Sequence, residues 1–464
     1  MRSWRLAKWY LLALRDGTPD FSLDRLLQQQ ERMPAARIEA LRTAKTRRLV
    51  DECLSNVPYY RDLMRQAGLD RRAIRGPEDL EVLPLLDKPI IRREGRRLLN
   101  ETADSAAYFA HTTSGSSGMP LDFYRGAEYD KLANGAANMR AFRRMGWRPG
   151  DVMARFWSPP HDDPPPEGAG RALRRALRRW LEPDDPLFSA YAVSRGEMEG
   201  WLDRLRAARP RFLYGYGSVL SLYASYLHSR GLSLDGVRGI ASTAEALIPA
   251  ARALLREVFP GAMVIDVYGS REIPGIACEC RLGSMHVNSD LVHVEYLPVP
   301  GDPGRRRLVI TALDNTVFPF IRYDIGDHGS PLEEPCRCGL PFPAMRWGLG
   351  KLIDSLLSPE GRLMYGGWFE GLMYRVRGIH EYQFRQKKAD EITLYVVPTD
   401  EFGDEARRHL EGVEREIQRD FSPRIRLQIE TVASIPLTPA GKHRFVVCEV
   451  RRSDYDYVPS LPLS

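Results

Sequence analysis

From residue 211 onward, short apolar runs alternate with amphipathic stretches, and no other feature narrows the fold as much. Phe212-Leu213-Tyr214 precedes a helical Leu220 to Leu227, Gly239-Ile240-Ala241-Ser242 precedes a helical Pro249 to Phe259, and Ala262-Met263-Val264-Ile265-Asp266-Val267-Tyr268 follows. Strand, helix and strand in succession predict an α/β sheet, whose ligands gather beyond the carboxyl ends of the strands. The 464 residues, 43% hydrophobic and 28% charged, suffice for a large core split over two or three domains. Upstream, residues 20 to 75 are predicted helical, with Leu26, Leu27, Ile38, Leu41, Leu49 and Val50 on a 3.6-type period. Asp87-Lys88-Pro89 has the form of a helix start, an N-cap Asp with Pro in the first turn. The proline-rich Ser158 to Pro166 is expected in an exposed loop.

Several function classes drop out. The formal charge of +6 is small for this length and no nucleic-acid reader motif occurs, so nucleic acid is not an expected partner. No apolar run approaches the roughly 18 residues that span a bilayer, and no small-residue cleavage site follows Trp9 to Leu14, so a cytoplasmic location is expected. Around that apolar stretch stand Arg2, Arg5, Lys8 and Arg15; such a helix either packs on the body of the protein or lies on an anionic membrane surface. Arg171, Arg174, Arg175, Arg178 and Arg179 share one face of another predicted helix. That face is either solvated or a landing place for a phosphorylated cosubstrate or an anionic membrane. His111, His161, His228, His293, His328, His380 and His443 form no ligand pair at helical spacing, and no Gly-x-Ser-x-Gly elbow points to a hydrolase.

What remains is anion chemistry. Thr112-Thr113-Ser114-Gly115-Ser116-Ser117-Gly118-Met119-Pro120 lies between Tyr108-Phe109-Ala110 and the strand-like Leu121-Asp122-Phe123-Tyr124. Its glycines leave backbone amides bare enough to wrap a phosphate, with hydroxyls as extra donors. No Gly-Lys-Ser/Thr ending follows, which argues against a P-loop NTPase. Ser242-Thr243-Ala244-Glu245 and Tyr268-Gly269-Ser270-Arg271-Glu272 each set small residues and a carboxylate after an apolar strand, well placed to hold Mg2+ beside a phosphate loop. Tyr268 offers a ring for a base to stack on, and Phe318 to Asp327 ends in a glycine and an acid suited to ribose hydroxyls. Cys278-Glu279-Cys280, His286 and Cys336-Arg337-Cys338 read as a zinc site before a disulfide in a cytosolic chain. Cys53 and Cys448 are expected to be ordinary buried residues.

In their order and wording these segments resemble the adenylate-forming enzymes, and within them the phenylacetate-CoA ligase family, especially its relatives from capsule and exopolysaccharide loci. Thr112 to Pro120 is similar to the family's phosphate loop, Ser242 to Glu245 to its small-small-Ala-Glu segment, and Tyr268 to Glu272 to its aromatic-Gly-x-Thr-Glu motif. Arg322 to Asp327 resembles the Arg-Tyr-x-x-Gly-Asp motif and Ile435 to Lys442 the C-terminal lysine motif. Asn56-Val57-Pro58-Tyr59-Tyr60 and Leu83 to Lys88 are similar to this group's N-terminal region. Roughly residues 45 to 450 are covered.

The resemblance implies a large α/β adenylation domain over 1–350, with 1–75 its helical N-terminal region, and a small mobile α+β lid over 351–464. It implies ATP-dependent adenylation of a carboxylic acid to acyl-AMP, then transfer to a thiol, with CoA, ATP and Mg2+ as cofactors. ATP contacts are expected from Thr113, Ser114, Gly115, Ser116, Ser117, Gly118, Ser242, Ala244, Glu245, Tyr268, Gly269, Ser270, Arg322 and Asp327. Lys442 is the expected catalytic cation and Glu272 the Mg2+ ligand. Arg271 replaces the usual Thr, either supplying positive charge at the phosphates or charging the acyl pocket; Met119 stands where many relatives carry a loop Lys. Near the hinge, Lys351 and Ile353 replace residues of the usual Gly-Arg-x-Asp-Asp. The resemblance also gives the ligand set Cys280, His286, Cys336 and Cys338 for a structural Zn2+, with Cys278 spare. Trp157, Tyr214 and Tyr216 are candidates for an aromatic acyl pocket or for core. Two other outcomes stay open: passage of the acyl or adenylyl group to a sugar, carrier or other cofactor, and a non-catalytic nucleotide- or zinc-binding relative.

Overall fold

Neighbouring residues of the alternating segments point to opposite faces of a sheet, and each face has its own core. The computed structural model describes residues 2–16, 20–113, 121–157, 185–189, 192–193, 195–299, 302–347, 355–373, 376, 378–399, 402–436 and 444–450. Leu187–Ser189, Met153–Trp157, Phe212–Tyr216, Gly239–Thr243 and Met263–Tyr268 pair in that order, all parallel. Phe212, Ala241 and Ile265 enter the core under the N-terminal helices. Their neighbours Leu213, Ile240 and Val264 enter a second core with Leu220, Tyr223 and Leu255, which come from the helices Gly217–Ser229 and Pro249–Val258. Gly215 sits where a Cβ would come 2.4 Å from the Phe156 carbonyl oxygen, so the close approach of two parallel strands requires glycine there.

Past Tyr268 the sheet continues antiparallel through Ala277–Glu279, Met285–Val287, Ala344–Trp347, Tyr323–Pro331, Asp302–Ala312 and Val292–Val299, giving eleven strands among the described residues. The helical N-terminal region is α1 (Arg2–Asp16), α2 (Phe21–Gln30), Ala35–Asn56 and Pro58–Gln66. Asp20 caps α2 by accepting from the amides of Ser22 and Leu23, and Asp87 caps Lys88–Glu94 by accepting from Ile90, as its sequence predicts. The residues on the helical period are not all inward: the buried face of α2 is Asp24, Leu27 and Gln30, and Leu26 stands outward at 41% exposure. Cys448 also departs, being half-buried near Gln386, whereas Cys53 is buried.

Residues 355–450 carry a separate α+β region. Ile379–Lys388 and Glu391–Pro398 pair antiparallel, flanked by parallel Val446–Cys448 and Arg426–Thr431. Against this sheet the helix Asp404–Asp420 buries Ala406, Leu410, Val413 and Ile417 at helical spacing, and each of the three larger side chains stabilises by about 1.5–3 kcal/mol. The hairpin of Ser355–Leu357 and Leu363–Tyr365 pairs with Ala192–Val193 of the large region, and Leu357 lies in the second core. The Pro-rich loop, the Arg171 to Arg179 face, residues 114–120 with Met119, Lys351 and Ile353 at the hinge, and Lys442 fall outside the described residues.

Candidate active site and metal centre

The parallel strands end at Trp157, Tyr216, Thr243 and Tyr268, so their carboxyl ends form one edge. Over it stands a hairpin of β1 (Tyr108–Thr113) and β2 (Leu121–Gly126), antiparallel as far as Thr113 opposite Leu121. The Ser/Gly segment, with Ser114, Gly115, Ser116, Ser117 and Gly118, is therefore the link between two paired strands, although it lies outside the described residues. Two arginines tie the hairpin to the Tyr268 turn. Arg125 hydrogen-bonds the Arg271 carbonyl oxygen and reaches Asp130 at 2.6 Å, while Arg271 donates to the Thr112 carbonyl oxygen at 2.8 Å. Arg125 had no sequence signal beyond its place after the strand.

The Tyr268 turn is fixed by its own backbone. Ser270 donates its amide to Ile273 and accepts the Ile273 amide on its hydroxyl, and a Cβ on Gly269 would come 3.0 Å from the Gly275 amide nitrogen. Tyr268 donates its phenol to Asp327 at 3.0 Å, and Tyr323 donates to Glu272 at 3.1 Å. Burial, then the carboxylate beside each, holds both phenols well above their ordinary range, so they remain donors. Two predicted motifs are thus joined through two Tyr–carboxylate pairs. Tyr323 stands one residue after Arg322 in its motif, and that spacing is the only sign of it in the sequence. The open stacking face expected of Tyr268 is not found, because the ring is 3% exposed and packed in the main core.

Arg322 is also placed differently from the nucleotide contact expected of it. Its guanidinium grips Glu295 through Nε at 2.9 Å and Nη2 at 2.7 Å, and donates to the carbonyls of Glu81 and Leu83. It clamps the Leu86–Tyr323 bridge to the sheet, and its φ of +51° marks a strained turn. Ala244 has φ +69°, a left-handed conformation costing about 1–2 kcal/mol for a residue with a Cβ. The segment after Thr243 bears that strain because Glu245 accepts from the Ser218 amide at 3.1 Å and hydroxyl at 2.5 Å, and Leu247 donates its amide to Asp266 at 3.2 Å. A carboxylate on the first turn of Gly217–Ser229 satisfies an otherwise unpaired helix-end amide. Ser242 Oγ is buried with no hydrogen-bond partner among the described residues.

Asp266 and Glu279 form a buried acidic layer behind this edge, and periodicity hid both inside apolar runs. Glu279 accepts from the Asp266 amide and from Arg252, each at 2.8 Å. Burial pushes Asp266 from 3.8 up to about 7, with the Glu279 charge adding to the rise. The native state therefore binds a proton that the unfolded chain has released, and stability from this group falls as pH rises from about 4 to about 7. Asp266→Asn keeps an acceptor for Leu247 without the charge. It is expected to flatten the fall in melting temperature across that window; an unchanged pH profile would remove Asp266 as its source.

Trp157 stacks on Tyr216 at 4.7 Å and on Tyr214 at 5.4 Å, an aromatic ladder across two neighbouring strand ends.

The cysteine–histidine set converges as the resemblance implies. One ligand atom from each of Cys280, His286, Cys336 and Cys338 lies within 4.8 Å of all the others. Cys280 and Cys336 sulfurs are 3.8 Å apart, far beyond the roughly 2.05 Å of a disulfide. His286 Nδ1 faces the Phe342 carbonyl oxygen at 2.8 Å, which leaves Nε2 toward Cys338 Sγ at 3.2 Å. Cys278 lies apart from the set, its sulfur accepting from Arg144 at 2.8 Å. The donor set, two thiols of one loop joined to a thiol and an oriented imidazole of the hairpin Ala277–Glu279 and Met285–Val287, fits a tetrahedral soft-metal centre with no open position.

A large mixed sheet with a separate α+β C-terminal region is the acyl-CoA-ligase-like adenylate-forming fold. The chain superposes on the crystal structure of 2-hydroxyisobutyryl-CoA ligase in complex with 2-HIB-AMP and CoA in the thioesterification state, with TM-score 0.60, 22% identity, and coverage of 92% of this chain and 93% of that one. The postadenylation-state structure of the same ligase with 2-HIB-AMP gives TM-score 0.57 at 23% identity over 91% of each chain. Residues 356–449 match the family described as CapK C-terminal domain. Phenylacetate-coenzyme A ligase of Thermus thermophilus is 26% identical over 393 residues, 80% of this chain and 84% of that protein. Protein CapK of Staphylococcus aureus is 22% identical over 405 residues, 85% and 86% of the two chains. The resemblance to phenylacetate-CoA ligases and their capsule-type relatives is thereby borne out.

Proposed function

We propose that the protein activates a carboxylic acid with ATP and transfers the acyl group to the thiol of CoA. In the first step a carboxylate oxygen of the acid attacks the α-phosphorus, the bond to the β-phosphate oxygen breaks, and pyrophosphate leaves. In the second the thiolate sulfur attacks the acyl carbon and AMP leaves. Neither step needs a covalent catalyst from the protein; both need donors and cations placed where charge gathers. The observation that carries the reading is the meeting of the Tyr268–Asp327 and Tyr323–Glu272 pairs with the β1–β2 stem, which brings three separate motifs to one strand edge.

Asp327 would hold ribose hydroxyls, Glu272 would hold Mg2+ through its carboxylate, and residues 113–118 would wrap the phosphates. Mg2+, when bound, supplies neutralising charge on phosphate oxygens. Lys442 would serve as the mobile cation. Ser242 to Glu245 shapes the floor of the same edge, and the Trp157–Tyr216–Tyr214 ladder suits a planar acyl group. Zn2+ at Cys280, His286, Cys336 and Cys338 would pin the Cys336–Cys338 segment to the hairpin Ala277–Glu279 and Met285–Val287, supplying structure and no chemistry.

Acid-dependent exchange of labelled pyrophosphate into ATP across a carboxylic acid panel tests the first step. AMP release that rises with CoA tests the second. Exchange without CoA dependence would turn the acceptor toward a sugar or carrier, and no exchange with any acid would remove the enzymatic reading. Arg271→Ala, losing a cation at the loop stem, is expected to slow exchange about tenfold, the loss of one modest interaction; an unchanged rate would deny Arg271 a role at the phosphates.

A further inference from the structure

Helix α1 is oriented inside out. Its buried side holds Arg5, Lys8 and Trp9, with Arg5 paired to Asp185 and Trp9 packed on Trp147 at 5.4 Å and Phe21 at 6.3 Å. Its outer side carries Trp4 at 55%, Tyr10 at 52%, Leu11 at 46% and Leu14 at 84% exposure. With about 100° per residue these four fall within an arc of about 120°. A helix that only packed on the body in water would bury that stripe and expose its cations.

The surroundings select the occupant. Residues 1–37 hold seven Lys and Arg, of which Arg5 and Lys8 are on the buried side, against four Asp and Glu. Three of those acids face inward or serve locally: Asp20 caps α2, Asp24 pairs with Arg143, and Glu31 pairs with Arg144. Arg25, Arg32 and Arg37 are exposed, and Arg25 stands beside the exposed Leu26 of α2, whose first residue Phe21 packs on Tyr10 at 4.7 Å. Apolar side chains, two aromatics with polar tips and a basic rim together match the headgroup layer of an anionic bilayer, where Trp and Tyr sit at the boundary. A second copy of the chain would present the same basic excess and repel it.

We propose that α1 docks this protein on anionic lipid surfaces, lying in the plane of the membrane with Trp4, Tyr10, Leu11 and Leu14 inserted. The full chain is expected to co-sediment with mixed phosphatidylcholine–phosphatidylglycerol vesicles, less with pure phosphatidylcholine, and less as ionic strength rises. Leu14→Glu is expected to cut the bound fraction at least about tenfold while leaving the melting temperature unchanged, since the side chain touches solvent. Leu11→Glu serves as a second variant should Leu14→Glu fold poorly. The proposal is overturned if the wild-type chain ignores both vesicle types, if neither variant lowers binding, or if the wild-type chain forms a dimer in solution that these variants split.

Discussion

Lys442→Ala is expected to lower acid-dependent pyrophosphate exchange by about 10²–10³-fold, the loss that follows removal of one preorganised group from a developing charge. At the α-phosphorus, negative charge rises as the carboxylate enters and pyrophosphate begins to leave. Glu272 and Asp327, each held by a tyrosine, put two carboxylates at the strand edge beside Arg271, so a further cation is needed there. Lysine in a Pro-x-Thr-x-x-Gly-Lys sequence fits that need. The second half-reaction supplies the contrast. Acyl-AMP given ready-made, with CoA, is expected to be consumed by the alanine variant at close to the wild-type rate, because the phosphorus chemistry is already complete. An undiminished exchange rate would remove the lysine from the mechanism, and equal loss in both assays would make its role structural.

Metal content gives the second large effect. Purified full-length protein is expected to carry about one zinc per chain, and Cys338→Ser to carry almost none, with a melting temperature lower by several degrees. Four ligand atoms within 4.8 Å would leave thiols crowded against each other and against His286 without a cation between them. The metal converts that crowding into cohesion, and its binding free energy becomes folding free energy. Cys278→Ser is the control: its sulfur meets Arg144 outside the cluster, so zinc content should stay at the wild-type value. Zinc-free wild-type protein with all four thiols titrating freely would end this assignment.

The sequence carried much of the architecture because the chemistry sits where periodicity breaks. After the strands Gly239–Thr243 and Met263–Tyr268 the apolar run gives way to small residues and a carboxylate, Ala244-Glu245 and Gly269 to Glu272, and that punctuation is legible in the sequence. Partnerships across long chain separations were not readable. Tyr323 meets Glu272 from 51 positions away, and Arg125 reaches the Arg271 carbonyl from 146. Arg322 shows the limit from the other side: a motif can name a residue correctly and still leave open whether its guanidinium faces the ligand or, as here, Glu295 and two backbone carbonyls. Leu26 shows the same for packing, since a helix period fixes which residues share a face but not which face is inward.

The short pairing of Ala192–Val193 with Leu363–Tyr365 is a condition on any rotation of the C-terminal region. For residues 355–450 to turn against the main sheet, this backbone seam has to unzip and Leu357 has to leave its place among the helices of the second core. The seam therefore ties residues 355–450 to the main sheet by backbone pairing as well as by a buried side chain.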